Sequence, residues 1–345
     1  MTNRTGRLAT SAVATASAIV LSACGILPTA TQQAPTAPTT QAGPNASATV
    51  EPASLTEAVT RGNLLGHLQA LQAAADSNGG NRQAGKPGFE ASIDYVEAQL
   101  KEAGYTTQRQ EFSYKRQTPD GATERVTTAN LLADTAGSED GTIVIGAHLD
   151  GVAGGPGIND NATGVAAALE TARQFAALGV QPTHRVRFAF WSGEEDGLYG
   201  SHHYVRELAD PQRTAAYLNL DMVGSPNAVP SVYGDGEGWA DGSEVIEDLL
   251  VDYLTAQGTP PEIVFFEGSD HLPFAEAGIP VGGLYTGAGE DKSRGEAVRH
   301  GGTPDAPADP CYHLACDRTD AIDADVLELM ADALAHATLT LSTRP

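Results

Sequence analysis

The chain has 345 residues, enough for one large α/β domain, and 41% are hydrophobic, which excludes global disorder. Lys and Arg number 20 against 44 Asp and Glu, for a formal charge of −24. A chain this acidic lacks the positive field that nucleic acids and anionic membrane surfaces require.

Residues 1–23 read as an export signal. Arg4 and Arg7 form a positive start, and Leu8 to Leu21 form an apolar stretch of about 14 residues, short of the roughly 20 that span a bilayer. Leu21-Ser22-Ala23-Cys24 resembles the bacterial lipobox, in which cleavage precedes the cysteine and its thiol receives a lipid. An exported protein held on the outer face of the bacterial membrane by Cys24, or later shed, is expected. Residues 24–55, rich in Thr, Pro and Ala and uncharged until Glu51, read as a solvated tether, with the folded domain over 56–345.

Leu64-Leu65, Leu68 and Leu71 have helical spacing, and Asn78-Gly79-Gly80-Asn81 breaks it. Phe89 to Ala103 is a second helix, with Ile93, Val96 and Leu100 as its stripe and Gly104 as its stop. Tyr105 to Tyr114 alternates as a strand does. Strands are then expected at Thr142–Ala147, Arg185–Trp191, Ala215–Leu220 and Ile279–Tyr285. Between and after them come helices at Ala162–Leu178, Gly200–Leu208, Val245–Gln257 and Ala324–Leu341. The alternation implies a single α/β domain with a largely parallel central sheet, flanked by helices on both faces. In such sheets, chemistry gathers beyond the C-terminal ends of the strands.

The residues found there are suited to metals. His148-Leu149-Asp150 follows the first of the apolar strands, Ser192-Gly193-Glu194-Glu195 the second, and Asp221 the third. A glycine-rich loop, Gly154 to Asn161, delivers Asp160 to the start of a helix; no Gly-Lys-Ser/Thr follows it, so it is not a Walker phosphate loop. Cys311 and Cys316 point to a local disulfide in an exported protein, since no second Cys pair completes a zinc site. His313 lies between them. His202 and His203, neighbours on a helix, would point about 100° apart and read as surface residues.

Six ordered segments carry a resemblance. They are Gly146–Asp150, Gly155–Asn161, Trp191–Glu195, Leu218–Gly224, Ser269-Asp270-His271 and Cys311–Asp317. In order and spacing the chain resembles the M28 family of zinc aminopeptidases, in particular the secreted streptomycete-type enzymes, from about residue 60 onward.

The resemblance implies a zinc-peptidase fold without a protease-associated insertion, and two zinc ions per chain. His148 and Asp221 would hold one ion, Glu195 and His313 the other, with Asp160 bridging. Glu194 would act as general base on a water between the ions, and Tyr312 would hydrogen-bond the oxyanion. Asp150 would orient His148, and the Cys311–Cys316 bridge would present Tyr312 and His313. The implied substrates are peptides with a free N-terminus, losing large apolar residues to a monomeric enzyme. Asp270 and His271 would line the pocket. Some relatives carry an Arg where this chain has Gly268, after Glu267, and some bind calcium through acidic residues for which Glu328 and Asp332 are the candidates here. Three rival readings remain: a single-zinc glutaminyl cyclase, a carboxypeptidase or another di-zinc hydrolase, and a surface lipoprotein that binds peptides without cutting them.

Overall fold

Pro52 opens α1 (Pro52–Ala58), and the Thr60 side chain then accepts the Asn63 N–H to cap α2 (Arg61–Asp76). This computed structural model describes residues 50–118, 120–234, 239–265 and 268–344. The export signal, Cys24 and Glu267 lie outside the described residues. Leu55 on α1 is fully buried against the core, so ordered structure starts inside the stretch expected to be tether. In α3 (Pro87–Glu102), Phe89, Ile93, Val96 and Leu100 form one buried stripe, and Gly104, at φ +94°, ends the helix in the left-handed region.

An antiparallel hairpin of β1 (Thr107–Gln117) and β2 (Thr123–Asp134) follows. The chain continues through β3 (Ser138–His148), α4 (Thr163–Ala177), β4 (His184–Trp191), α5 (Tyr199–Arg206) and β5 (Thr214–Leu220). Next come β6 (Ser231–Tyr233), α6 (Ser243–Ala256), β7 (Glu262–Val264) and α7 (Leu272–Glu276). Last are β8 (Val281–Tyr285), α8 (Arg294–His300) and α9 (Ala324–Thr343).

The strands form one sheet in the order β1-β2-β4-β3-β5-β8-β6-β7. Its centre, β4-β3-β5-β8, is parallel as expected. The flanks are not: β2 runs antiparallel to β1 and β4, and β6 antiparallel to β8. Along β3, Ile143, Ile145 and Ala147 enter the main core while Val144 enters a smaller one, so both faces are covered. The main core packs residues of α1, α2, α3, α4, α6 and α9 on one face. The other face is aromatic, with Phe274 of α7 stacked on Tyr217 of β5 at 3.8 Å between ring centroids and Trp191 beside them. Helix α4 is buried continuously from Thr163 to Ala172, which is why that run is small or apolar apart from the buried Glu170.

Candidate active site

β4, β3 and β5 are parallel neighbours, so their C-terminal ends open on one edge of the sheet. His148 closes β3, Glu194 and Glu195 follow β4, and Asp221 follows β5. Asp160 reaches the same edge by the glycine loop. Gly154 and Gly155 pass so close to the carbonyls of His313 and Leu314 that a side chain on either would collide with them. His313 sits at φ +61° in the turn closed by the Cys311–Cys316 disulfide, whose Cα atoms are 5.3 Å apart. Tyr312 stacks on the His313 ring at 3.8 Å.

Asp160 stands between two groups. Its Oδ1 lies 3.2 Å from His148 Nε2, which is 3.4 Å from Asp221 Oδ1. Its Oδ2 lies 3.0 Å from His313 Nε2, which is 3.1 Å from Glu195 Oε2. Within each trio, the ligand atoms lie within 4.8 Å of one another. Glu194 Oε2 is 3.9 Å from His148 Nε2. The five residues expected to hold metal are therefore brought together, with Glu194 beside them.

The chemistry of this donor set fits a cation pair. Four carboxylates and two imidazoles converge, so acceptors outnumber donors, and buried Glu195 Oε1 has no hydrogen-bond partner. Burial pushes the Glu194 carboxyl well above its ordinary range and Glu195 up to about 7. Hydrogen-bonding reach to Asp160 and then Glu195 lifts His313 to about 10. Burial opposes a charge on His148, but Glu194 and then Asp221 carry it well above the usual imidazole value. Protons on the imidazoles offset the carboxylates here, and metal ions would displace them.

A supporting layer holds these residues in place. Asp317 accepts the backbone N–H of Asn159 at 2.6 Å and of Asp160 at 3.1 Å, and Asn159 Nδ2 donates to Asp309 Oδ2 at 2.7 Å. Ser269 Oγ donates to Asp221 Oδ2 at 2.6 Å. Arg82, wholly buried, donates to the carbonyls of Leu149, Pro156 and Gly157, tying the turn after His148 to the loop before Asp160. Reading the sequence missed Arg82 and gave Asp317 no role. The only signal was a lone Arg after a glycine break.

The other residues singled out in the sequence are placed as well. His148 Nδ1 meets the backbone carbonyl of Asp150 at 3.1 Å, while the Asp150 carboxylate, 3.9 Å away, accepts the Glu194 N–H at 3.3 Å. Asp150 thus supports both motifs, by backbone and by side chain. Asp270 and His271 are fully buried behind the cavity instead of lining it, with His271 against Tyr233 and Trp239. His203 stacks on Phe112, away from the site. Of the two calcium candidates, Glu328 is held by the Arg61 guanidinium at 3.0 Å and by its N–H at 2.8 Å, while Asp332 Oδ1 has no partner.

Residues 130–338 match Peptidase family M28. The chain belongs to this family. It is 44% identical over 285 residues to leupeptin-inactivating enzyme 1 of Streptomyces exfoliatus, covering 81% of this chain and 61% of that one. It is 43% identical over 232 residues to the probable lipoprotein aminopeptidase LpqL of Mycobacterium tuberculosis, covering 63% of this chain and 46% of that one. The chain therefore spans less than two thirds of the length of either relative. Among solved structures, the aminopeptidase from Aneurinibacillus sp. strain AM-1 shares the fold, with a TM-score of 0.69 at 19% identity over 86% of this chain and 97% of that one.

Proposed function

We propose that this M28 protein is a di-zinc aminopeptidase that removes residues from the free N-terminus of peptides. The observation that carries the reading is Asp160, whose two oxygens each face a separate His-carboxylate pair. His148 and Asp221 would hold one zinc, Glu195 and His313 the other, and Asp160 both. When bound, the ions polarise the scissile carbonyl and make water more acidic.

The remaining work falls to this chain's own side chains. Glu194, buried and next to His148, accepts the proton of the attacking water and returns it to the departing amine. The Tyr312 hydroxyl, oriented by its stacking on His313, donates to the carbonyl oxygen as negative charge develops there. The carboxylates at the floor of the cavity give the α-ammonium of the substrate its counter-charge. Arg82 and Asp317 position the Asp160 loop.

Leucine p-nitroanilide, its N-acetyl form and zinc content test the reading together. The expected result is cleavage of the free-amine substrate alone, with two zinc ions per chain. Two bound ions without cleavage of any free N-terminus would turn the reading to a peptide-binding protein. One ion with cyclisation of N-terminal Gln would turn it to a cyclase.

The Cys24 lipid anchor belongs to the same proposal. It is supported by the Leu21-Ser22-Ala23-Cys24 sequence and by the lipoprotein name of the mycobacterial relative. Among the described residues no helix is long and apolar enough to cross a membrane. Metabolic fatty-acid labelling that disappears in Cys24→Ser is the expected result; label retained in that variant would remove the anchor.

A further inference from the structure

The cavity in front of Asp160 and Glu194 has a volume of about 340 Å³ and carries one carboxylate with no part in holding metal or moving protons, that of Glu290. Glu290 follows β8 in the turn Gly287-Ala288-Gly289. Its Oε1 accepts the Tyr285 hydroxyl at 2.8 Å, and both its oxygens lie 3.1 Å from the Ala288 N–H. These partners, a phenol and an amide, fix the carboxylate at the mouth and bring no positive charge to it. The turn lies against the oxyanion side of the site: a Cβ on Gly289 would stand 3.4 Å from Tyr312 Cδ1. Among the described residues no Lys or Arg lines the cavity. At Gly268, where some relatives carry Arg, this chain presents only backbone.

The apolar part of the cavity lining includes Met222 and the ring of Tyr285, whose hydroxyl reaches Glu290. A long aliphatic stem with a cationic end matches these surfaces: α-amino group at the floor, methylenes along Met222 and Tyr285, charge at Glu290. We propose that Glu290 is a specificity-determining residue and that it directs this site to peptides beginning with Lys or Arg, not with large apolar residues alone. The proposal rests on the aminopeptidase reading. Because the carboxylate is exposed at the mouth, its effect is modest and sensitive to salt.

The test uses the zinc-loaded full chain and Glu290→Gln, with Arg-, Lys- and Leu-p-nitroanilide at low and high salt. Calorimetric titration of free arginine and free leucine is run on the same samples. The expected result is that Glu290→Gln lowers kcat/KM for Arg and Lys about fivefold more than for Leu, through KM. The difference shrinks in high salt, and arginine affinity falls in parallel. Equal responses of Arg and Leu substrates, or arginine binding that ignores Glu290, would overturn the assignment. If none of the three substrates is cleaved, the aminopeptidase reading fails. The titration then decides Glu290 alone: weaker arginine binding in Glu290→Gln supports a cationic pocket, and no change removes it.

Discussion

Two buried polar clusters adjoin α4, one around Glu170 on the helix and one around Asp160 just before its start, and they differ in what is left over. In the helical layer, Glu170 accepts from Asn63 at 2.6 Å, His67 at 3.0 Å, Gln174 at 2.7 Å and Arg173 at 3.1 Å, and His67 Nδ1 meets the Tyr95 hydroxyl at 2.7 Å. Every strong acceptor there has a donor, so the cluster is complete without a ligand. At the sheet edge, carboxylates outnumber donors, and buried Glu195 Oε1 has none. Both clusters contain a His beside a carboxylate. Only the balance of donors and acceptors separates a cluster that holds the fold from one that awaits a cation.

The largest test of that contrast is kinetic. Glu194→Gln is expected to lower kcat by about 10²–10⁴-fold with zinc content unchanged, measured by steady-state assay and elemental analysis on one sample. Lost metal together with lost activity would instead make Glu194 a ligand. Arg82→Ala comes next, because it strips donors from three buried carbonyls that lie under both metal-facing loops. A loss of about 3 kcal/mol in urea unfolding is expected, with zinc affinity down about 10–100-fold. Arg82→Lys recovers only part of both, since an ammonium lacks the fork that spans three acceptors. Unchanged zinc affinity in Arg82→Ala would confine the residue to folding. In the complete cluster, Glu170→Gln is expected to cost about 1–3 kcal/mol of stability with kcat unmoved. A drop in kcat would erase the distinction between the two clusters.

The same contrast explains what was legible in the sequence. His148, Glu194, Glu195 and Asp221 stand out because each follows a short apolar run, and sheet topology fixes where such runs end. Asp160 and His313 were placed by resemblance, and folding brings them to the same edge. Arg82 was not legible: its bonds reach backbone carbonyls at Leu149, Pro156 and Gly157, and a carbonyl leaves no mark on residue type. Asp150 was expected to orient His148, and it meets that imidazole through its backbone carbonyl, a group that residue type does not mark. In the sheet, β6 and β7 span three residues each, too few to show a period. β2 begins with Thr123-Glu124-Arg125, polar residues that hide a strand pinned by β1 and β4. The antiparallel flanks follow from those omissions.

Asp332 on α9 sharpens the comparison with the smallest effect. Like Glu195 it has a buried oxygen without a partner, but among the described residues it belongs to no group of three ligand atoms within 4.8 Å. An orphaned oxygen alone should then be a cost and not a site. Burial, with Glu328 one turn earlier adding like charge, pushes its carboxyl up to about 7 from an ordinary 3.8. A carboxyl raised in this way keeps its full contribution below its unfolded value, and that contribution is lost as pH climbs through the folded value. Wild-type stability should therefore decline between about pH 4 and pH 7 relative to Asp332→Asn, which cannot ionise. The two proteins should agree near pH 4, and the variant should be more stable by about 1 kcal/mol at pH 8, since water reaching the half-buried group moderates the shift. Chemical unfolding across that range measures it. A variant equal to wild type at pH 4 but less stable than it at pH 8 would mean that Asp332 is ionised and paired with a cation, and the orphaned oxygen would then mark a site after all.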